Sequence, residues 1–389
     1  MRSESCDIFC NVIDNYGDIG VCWRLARQLA NEHGLRVRLW VDDLASFAKL
    51  FPGADAALDS QQCRGVEVRR WNKPFPEVLP ADLVIEAFAC KLPEAYIAAM
   101  AAQQIEPVWI NLEYLSAEDW VAGCHKLPSP HPALALTKYF FFPGFTGMTG
   151  GLLLERDLLA RRDAFQGDPA RQQAFWRSAG IEMPDADTLK VSLFGYENAA
   201  LAGLFDVWAA GAQPVLCLVP EGRILPQAGQ YFGDAAPRAG NGYERGNLRV
   251  QVLPFVEQER YDELLWACDA NFVRGEDSCV RAQWAARPFV WHIYPQHDGA
   301  HLEKLRAFMN LYCTGLSESA SQAVRALWLS WNCGNAAGQA WLDFLSCRDE
   351  LQALARVWAR HLAVNNLALN LLDFSGEIGT MRAFKIEGQ

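Results

Sequence analysis

No stretch of this chain stays apolar for the roughly 20 residues that a membrane-spanning helix needs. Residues 1–9 are too short and too polar for a secretory leader, so a cytoplasmic protein is expected. Basic clusters are missing as well. The net charge is −11 with both signs interspersed, whereas phosphate-backbone binding needs gathered Lys and Arg. Neither a nucleic-acid partner nor a membrane partner is expected. The 12 cysteines contain no C-x-x-C pair, and the closest two are Cys6 and Cys10. Reduced, buried thiols account for them better than zinc or disulfides do. A G-x-G-x-x-G turn and a Walker A loop are also absent, which speaks against a dinucleotide-dependent dehydrogenase.

Half of the 389 residues are apolar, with 14 Trp and 21 Phe among them. That composition supports a large core, and the length suggests two or three domains. Residues 6–13, 35–41, 82–88 and 107–112 read as strands. Residues 20–33 and 93–103 between them read as amphipathic helices. Strands alternating with helices predict a parallel sheet covered on both faces. After the glycine-rich 142–151 segment the pattern breaks, then restarts at Leu189. Strands are expected at 189–196, 214–219, 248–255, 270–273 and 289–293, and helices over most of 319–371. The expected organisation is a first Rossmann-like domain at 1–155, a linker at 156–186 and a second Rossmann-like domain at 187–369. Residues 370–389 are expected to pack back on the first domain. The fold class is α/β, with two doubly wound domains facing a central cleft. Ligands then belong at the carboxyl ends of the strands.

Two strand-to-helix corners stand out under that rule. The first, Asp14-Asn15-Tyr16-Gly17-Asp18-Ile19-Gly20, places two carboxylates at the end of the first strand. Gly17 and Gly20 allow a tight turn and close backbone approach. Helix capping explains one Asp comfortably; a pair at an expected cleft also suits acid–base chemistry. The second corner is Arg274-Gly275-Glu276-Asp277-Ser278. A helix starting near Ser278 offers free N–H groups to a diphosphate, and Arg274 adds a charge-assisted contact. Glu276 and Asp277 suit sugar hydroxyls, although acids in a first helical turn are also common capping residues. In Tyr294-Pro295-Gln296-His297-Asp298-Gly299-Ala300-His301 the two histidines are four apart, as zinc ligands on a helix are. Asp298 stands where that motif carries Glu, and Gly299 interrupts the helix. No metal is expected, and Tyr294 and Gln296 are the better ligand-facing residues. Phe194 and Tyr196 end one expected strand, and Phe255 precedes Gln258 at another. Either place suits a stacked base, as it suits a core aromatic.

In this order, the Asn15–Gly20 turn, Phe194-Gly195-Tyr196, Pro254-Phe255 with Gln258, Arg274-Gly275-Glu276-Asp277-Ser278 and Tyr294-Pro295-Gln296 resemble the EarP family. Its members are the protein-arginine rhamnosyltransferases of elongation factor P. The resemblance spans essentially the whole chain. It implies a GT-B fold, a dTDP-β-L-rhamnose donor, an arginine acceptor on elongation factor P, inversion at the anomeric carbon and no metal or other cofactor. The modification would support that factor's rescue of ribosomes stalled at proline runs. It makes Asp18 the general base and Asp14 the residue that orients the arginine, with the two roles exchangeable. Phe194, Tyr196, Phe255, Gln258, Arg274, Glu276, Asp277, Ser278, Tyr294 and Gln296 become donor-binding residues. Two other readings remain at this point: a GT-B enzyme with another donor or a small-molecule acceptor, and a non-enzymatic nucleotide-binding module.

Overall fold

The computed structural model describes residues 3–14, 16–296 and 298–387, with side chains up to residue 382. It divides into two units: Met1–Arg156 together with Leu362–Gln389, and Asp157–His361. No described helix is long and apolar enough to cross a membrane.

In the first unit the chain runs through β1 (Ser5–Cys10), α1 (Gly17–His33), β2 (Arg36–Val41), α2 (Leu44–Leu50), β3 (Ser60–Cys63) and β4 (Val66–Arg70). It continues through β5 (Leu83–Ala87), α3 (Glu94–Ala101), β6 (Val108–Leu112), α4 (Trp120–Cys124), β7 (Pro128–Pro130) and β8 (Thr137–Phe141). The strands lie in the order β3-β4-β2-β1-β5-β6-β8-β7, parallel except at the two edges. β5 and β6 are buried at every position. Inner strands covered on both faces need mostly apolar runs, which their sequences supply at four positions in five. Helix α1 stops at Gly34, whose left-handed φ of 75° lets its N–H return to Ala30.

Three buried inner residues break the apolar rule: Asp7 of β1, Glu86 of β5 and Asn111 of β6. Asp7 of β1 is fully buried. The Arg38 guanidinium grips it through Nε and Nη2, each at 2.6 Å. Tyr96, Trp40 Nε1 and the amide of Ala81 donate to it as well. A buried carboxylate is tolerable only when so completely paired.

The second unit holds α5 (Leu158–Gly167), α6 (Pro169–Ser178), β9 (Leu189–Leu193), α7 (Leu201–Ala210), β10 (Val215–Pro220), α8 (Leu225–Tyr231), β11 (Gly242–Arg245) and β12 (Leu248–Leu253). These lead to α9 (Gln258–Ala267), β13 (Ala270–Arg274), α10 (Asp277–Trp284), β14 (Phe289–His292), α11 (Ala300–Tyr312), α12 (Glu318–Asn332), α13 (Gly338–Ser346) and α14 (Arg348–Leu362). Its sheet order is β11-β12-β10-β9-β13-β14, with β11 alone antiparallel. Phe272 on β13 packs against Trp331 at 4.8 Å between ring centroids, and Trp341 against Trp208 at 5.3 Å. The tryptophans of the helical C-terminal stretch thus serve as the cover of this sheet.

Residues 156–186, expected as a linker, instead contribute α5 and α6 to the second unit. The apolar sides of these helices explain it: Phe165 and Phe175 are buried, and Phe165 meets Trp266 of α9 at 5.7 Å. The second unit closes at His361 rather than at 369. The chain then returns to the first unit as α15 (Leu367–Glu387). There Phe374 packs on Tyr139 and Phe141 of β8, and Arg382 donates to the carbonyls of Glu106 and Pro107.

Candidate active site

The first corner joins β1 to α1. Asp18 sits in the first turn of α1 and is only 3 % exposed. Its Oδ2 accepts the main-chain N–H of Ile13 at 2.8 Å and of Asp14 at 2.9 Å. Two amide donors and a helix N-terminus hold this carboxylate in a fixed orientation. Asp14 is half-buried beside it. Its carbonyl accepts the N–H of Gly17 at 2.6 Å. A Cβ on Gly17 would lie 2.8 Å from Asp14 Oδ2. The need for glycine here is therefore close approach of a side chain, not an unusual backbone angle. Gly20 donates its N–H to Tyr16, opening the helical ladder. The corner thus presents two carboxylates, that of Asp18 fixed by two main-chain amides and that of Asp14 beside it. Asn15 lies outside the described residues.

The second corner joins β13 to α10. Arg274 is 4 % exposed, and its guanidinium lies 4.7 Å from the ring centre of Phe194 and 4.8 Å from that of Tyr196. Both aromatics come from the end of β9, next to β13 in the sheet. Cation–π contact holds the charge without neutralising it. Gly275, at a φ of 62°, turns the chain and donates its N–H to the carbonyl of His292. Gln258 Nε2 reaches Asp277 Oδ2 at 3.3 Å. Glu276 pairs with Lys304 Nζ of α11 at 2.8 Å. Tyr294, 39 % exposed, stands edge-on to Tyr196 at 5.6 Å. Phe255 is half-buried at the end of β12. The structure therefore brings Phe194, Tyr196, Arg274 and Tyr294 into one cluster, with Gln258 and Asp277 paired at the head of α10.

α10 begins at Asp277, next to Ser278, near which the sequence places the helix start. One expectation changes in detail. The Ser278 hydroxyl turns back on Arg274, accepting its N–H at 3.0 Å and donating to its carbonyl. It fastens the corner rather than facing a ligand, because a buried hydroxyl takes the nearest main-chain partners. Gln296 is exposed, and its N–H goes to Nδ1 of His301. His297 lies outside the described residues. Among the described residues no group of three His, Cys, Asp or Glu is placed to hold a metal ion.

Sequence reasoning passed over two neighbours. His292, at the end of β14, is buried against Tyr196 and Trp331. Burial, reinforced by the charge of Arg274, lowers its pKa to about 3, so the imidazole is neutral. Arg223 lies over Tyr196 at 5.7 Å. Neither carries a local motif; only the sheet order brings them to this place.

Comparison with known proteins closes the question of kinship. The profile of the EarP family, described as elongation factor P rhamnosyltransferase, matches residues 6–376. The chain belongs to the EarP family. A protein-arginine rhamnosyltransferase of Pseudomonas putida is 54 % identical over 370 residues, covering 95 % of this chain and 97 % of that protein. One from Neisseria meningitidis is 35 % identical, covering 92 % and 93 %. A solved structure described as the structural basis for EarP-mediated arginine glycosylation of translation elongation factor EF-P is 40 % identical, with a TM-score of 0.69 over 95 % of this chain and 98 % of that one. A glycosyltransferase from Rickettsia africae shares the fold at 9 % identity, with a TM-score of 0.54 over 98 % and 99 %. The chain is thus an α/β glycosyltransferase of the GT-B class, as its sequence implies.

Proposed function

We propose that this protein transfers L-rhamnose from dTDP-β-L-rhamnose to an arginine side chain of elongation factor P in the cytoplasm, with inversion and without a metal. The modified factor would then relieve ribosomes stalled at proline runs. Membership of the EarP family gives the reaction class. The observation that carries the mechanism is the pair of carboxylates, Asp14 and Asp18, gathered at one strand-to-helix corner.

A guanidinium is protonated at neutral pH and is a poor nucleophile. In this reading Asp14 holds it, a planar fork being suited to a carboxylate. Asp18, fixed by the amides of Ile13 and Asp14, accepts a proton as the guanidinium nitrogen bonds to the anomeric carbon. The bond from that carbon to the diphosphate oxygen breaks in the same displacement, and dTDP leaves with the electron pair. A single displacement needs one base and no covalent sugar–enzyme intermediate. The growing charge on the diphosphate is met by Arg274 and the N–H groups at the head of α10. Phe194, Tyr196 and Phe255 provide apolar surface for the thymine, and Gln258, Glu276, Asp277, Tyr294 and Gln296 provide polar groups for sugar and phosphate. Ser278 supports this set by holding Arg274 through its main chain.

The test is to incubate the protein with unmodified elongation factor P and dTDP-β-L-rhamnose and measure the acceptor's intact mass. Gain of one deoxyhexose, lost when the acceptor arginine is replaced by lysine, is the expected result. Donor binding without a gain would move the acceptor elsewhere, and absence of donor binding would overturn the donor assignment.

A further inference from the structure

The turn between β10 and α8 is built against the residues assigned above to the donor. Glu221 donates its main-chain N–H to Leu253. Its carboxylate accepts the N–H of Phe255 at 3.3 Å through Oε2. Gly222 lies over Phe194 so closely that a Cβ there would come within 3.0 Å of the ring. Arg223 follows, its guanidinium 5.7 Å from the centre of the Tyr196 ring. The same ring carries Arg274 at 4.8 Å. One aromatic side chain thus serves two guanidinium groups, that of Arg274 buried and that of Arg223 45 % exposed.

Two cations gathered around one ring repel each other, and an anion between or beside them relieves the repulsion. Glu197, next in sequence to Tyr196, pairs with Arg223 Nε at 3.2 Å, and its own side chain is 53 % exposed. An ion pair this open to water is weakly held. A diphosphate carries more charge than a carboxylate and offers acceptors in the geometry that guanidinium recognises. We propose that Arg223 is a second diphosphate-binding cation of the nucleotide-sugar site, released by Glu197 when a nucleoside diphosphate binds. This inference rests on the donor reading given above.

Calorimetric titration of the full-length protein with dTDP, and separately with thymidine, tests it. Arg223→Ala is expected to weaken dTDP about tenfold, the scale of one charge-assisted hydrogen bond. Thymidine binding should stay unchanged. Arg223→Lys should recover part of the loss, and Glu197→Gln should tighten dTDP. The salt dependence of dTDP binding should become shallower in Arg223→Ala. An Arg223→Ala protein that binds dTDP as the parent does, while Arg274→Ala is weakened, would overturn the role of Arg223 and leave the donor reading standing. Equal loss of thymidine and dTDP would also overturn it, by showing that the Tyr196 wall itself had collapsed. Failure of the unaltered protein to bind dTDP would overturn the donor reading on which the inference rests.

Discussion

The main-chain N–H of Asp14 donates to the carboxylate of Asp18 at 2.9 Å, so the first acid of the corner helps to aim the second. Loss of charge at Asp18 is therefore expected to cost catalysis rather than donor binding. Asp18→Asn should slow rhamnose transfer by about 10²–10⁴-fold, the usual contribution of a general base. The dTDP affinity should be unchanged. Asp14→Asn should act mainly on KM for the acceptor protein. The opposite pattern in steady-state kinetics would exchange the two roles.

Gly17 separates activity from stability. The atom that a new Cβ would meet is Oδ2 of Asp14, 2.8 Å away. A side-chain end yields more cheaply than backbone does, and alanine suits a helix better than glycine does. Gly17→Ala should thus keep or raise the melting temperature while reducing kcat by about ten- to a hundredfold, as misplacement of a reacting group does. A variant as active as the parent would mean that Asp14 need not sit where it does.

Helix α10 is anchored to α9 by an interior ion pair in its last turn. Arg281 forks onto Asp262 of α9 through Nε and Nη2, each at 2.7 Å, with both side chains almost fully buried. Arg281→Ala should destabilise the fold by about 3–5 kcal/mol, because it strands a buried carboxylate. The double change Arg281→Met with Asp262→Leu should regain most of that stability in urea unfolding. It should still bind donor less well, since α9 and α10 carry Gln258 and Asp277. Full recovery of donor affinity would show the pair to be mere filling.

Acid should weaken the second unit through His292. Its folded-state pKa, lowered to about 3 by burial and by Arg274, lies below the unfolded value of about 6.5. Between these values the unfolded chain takes up a proton that the folded chain refuses. The contribution to stability is therefore complete above about pH 6.5 and is lost as the pH falls toward about 3, at up to about 1.4 kcal/mol per pH unit. Urea midpoints measured from pH 7 to pH 5 should fall less steeply in His292→Gln. An unchanged slope would assign the acid sensitivity to other groups, His125 among them, whose pKa burial lowers to about 4.

Much of this architecture was readable from residue pattern because inner parallel strands must be apolar on both faces. β5 and β6 declare themselves in that way despite Glu86 and Asn111. The edge hairpin does not: Ser60–Cys63 and Val66–Arg70 are short and polar, and one half-exposed strand resembles a loop. The corner acids could be found because sequence adjacency and spatial adjacency coincide in a tight turn. Ser278 shows the limit. Its position was legible, but the direction of its hydroxyl depends on which main-chain groups a folded corner leaves within reach. Arg223 was invisible for the opposite reason. Its partner Glu197 lies 26 residues away, and only the pairing of β9 with β10 makes them neighbours.

The return of α15 has a bearing on how the protein is made. The first unit uses residues from both ends of its two segments, Leu152 bridging to Asn366 and Ser3 bonding to Ser375. The second unit is one uninterrupted segment. On a translating ribosome the strands made first must therefore wait, incompletely covered, until about two hundred further residues have emerged, whereas the later segment has every partner at hand as soon as it is out. The earlier-made unit is the last to be finished, and the interval exposes the sheet beside the Asp14 and Asp18 corner to chaperones or to aggregation.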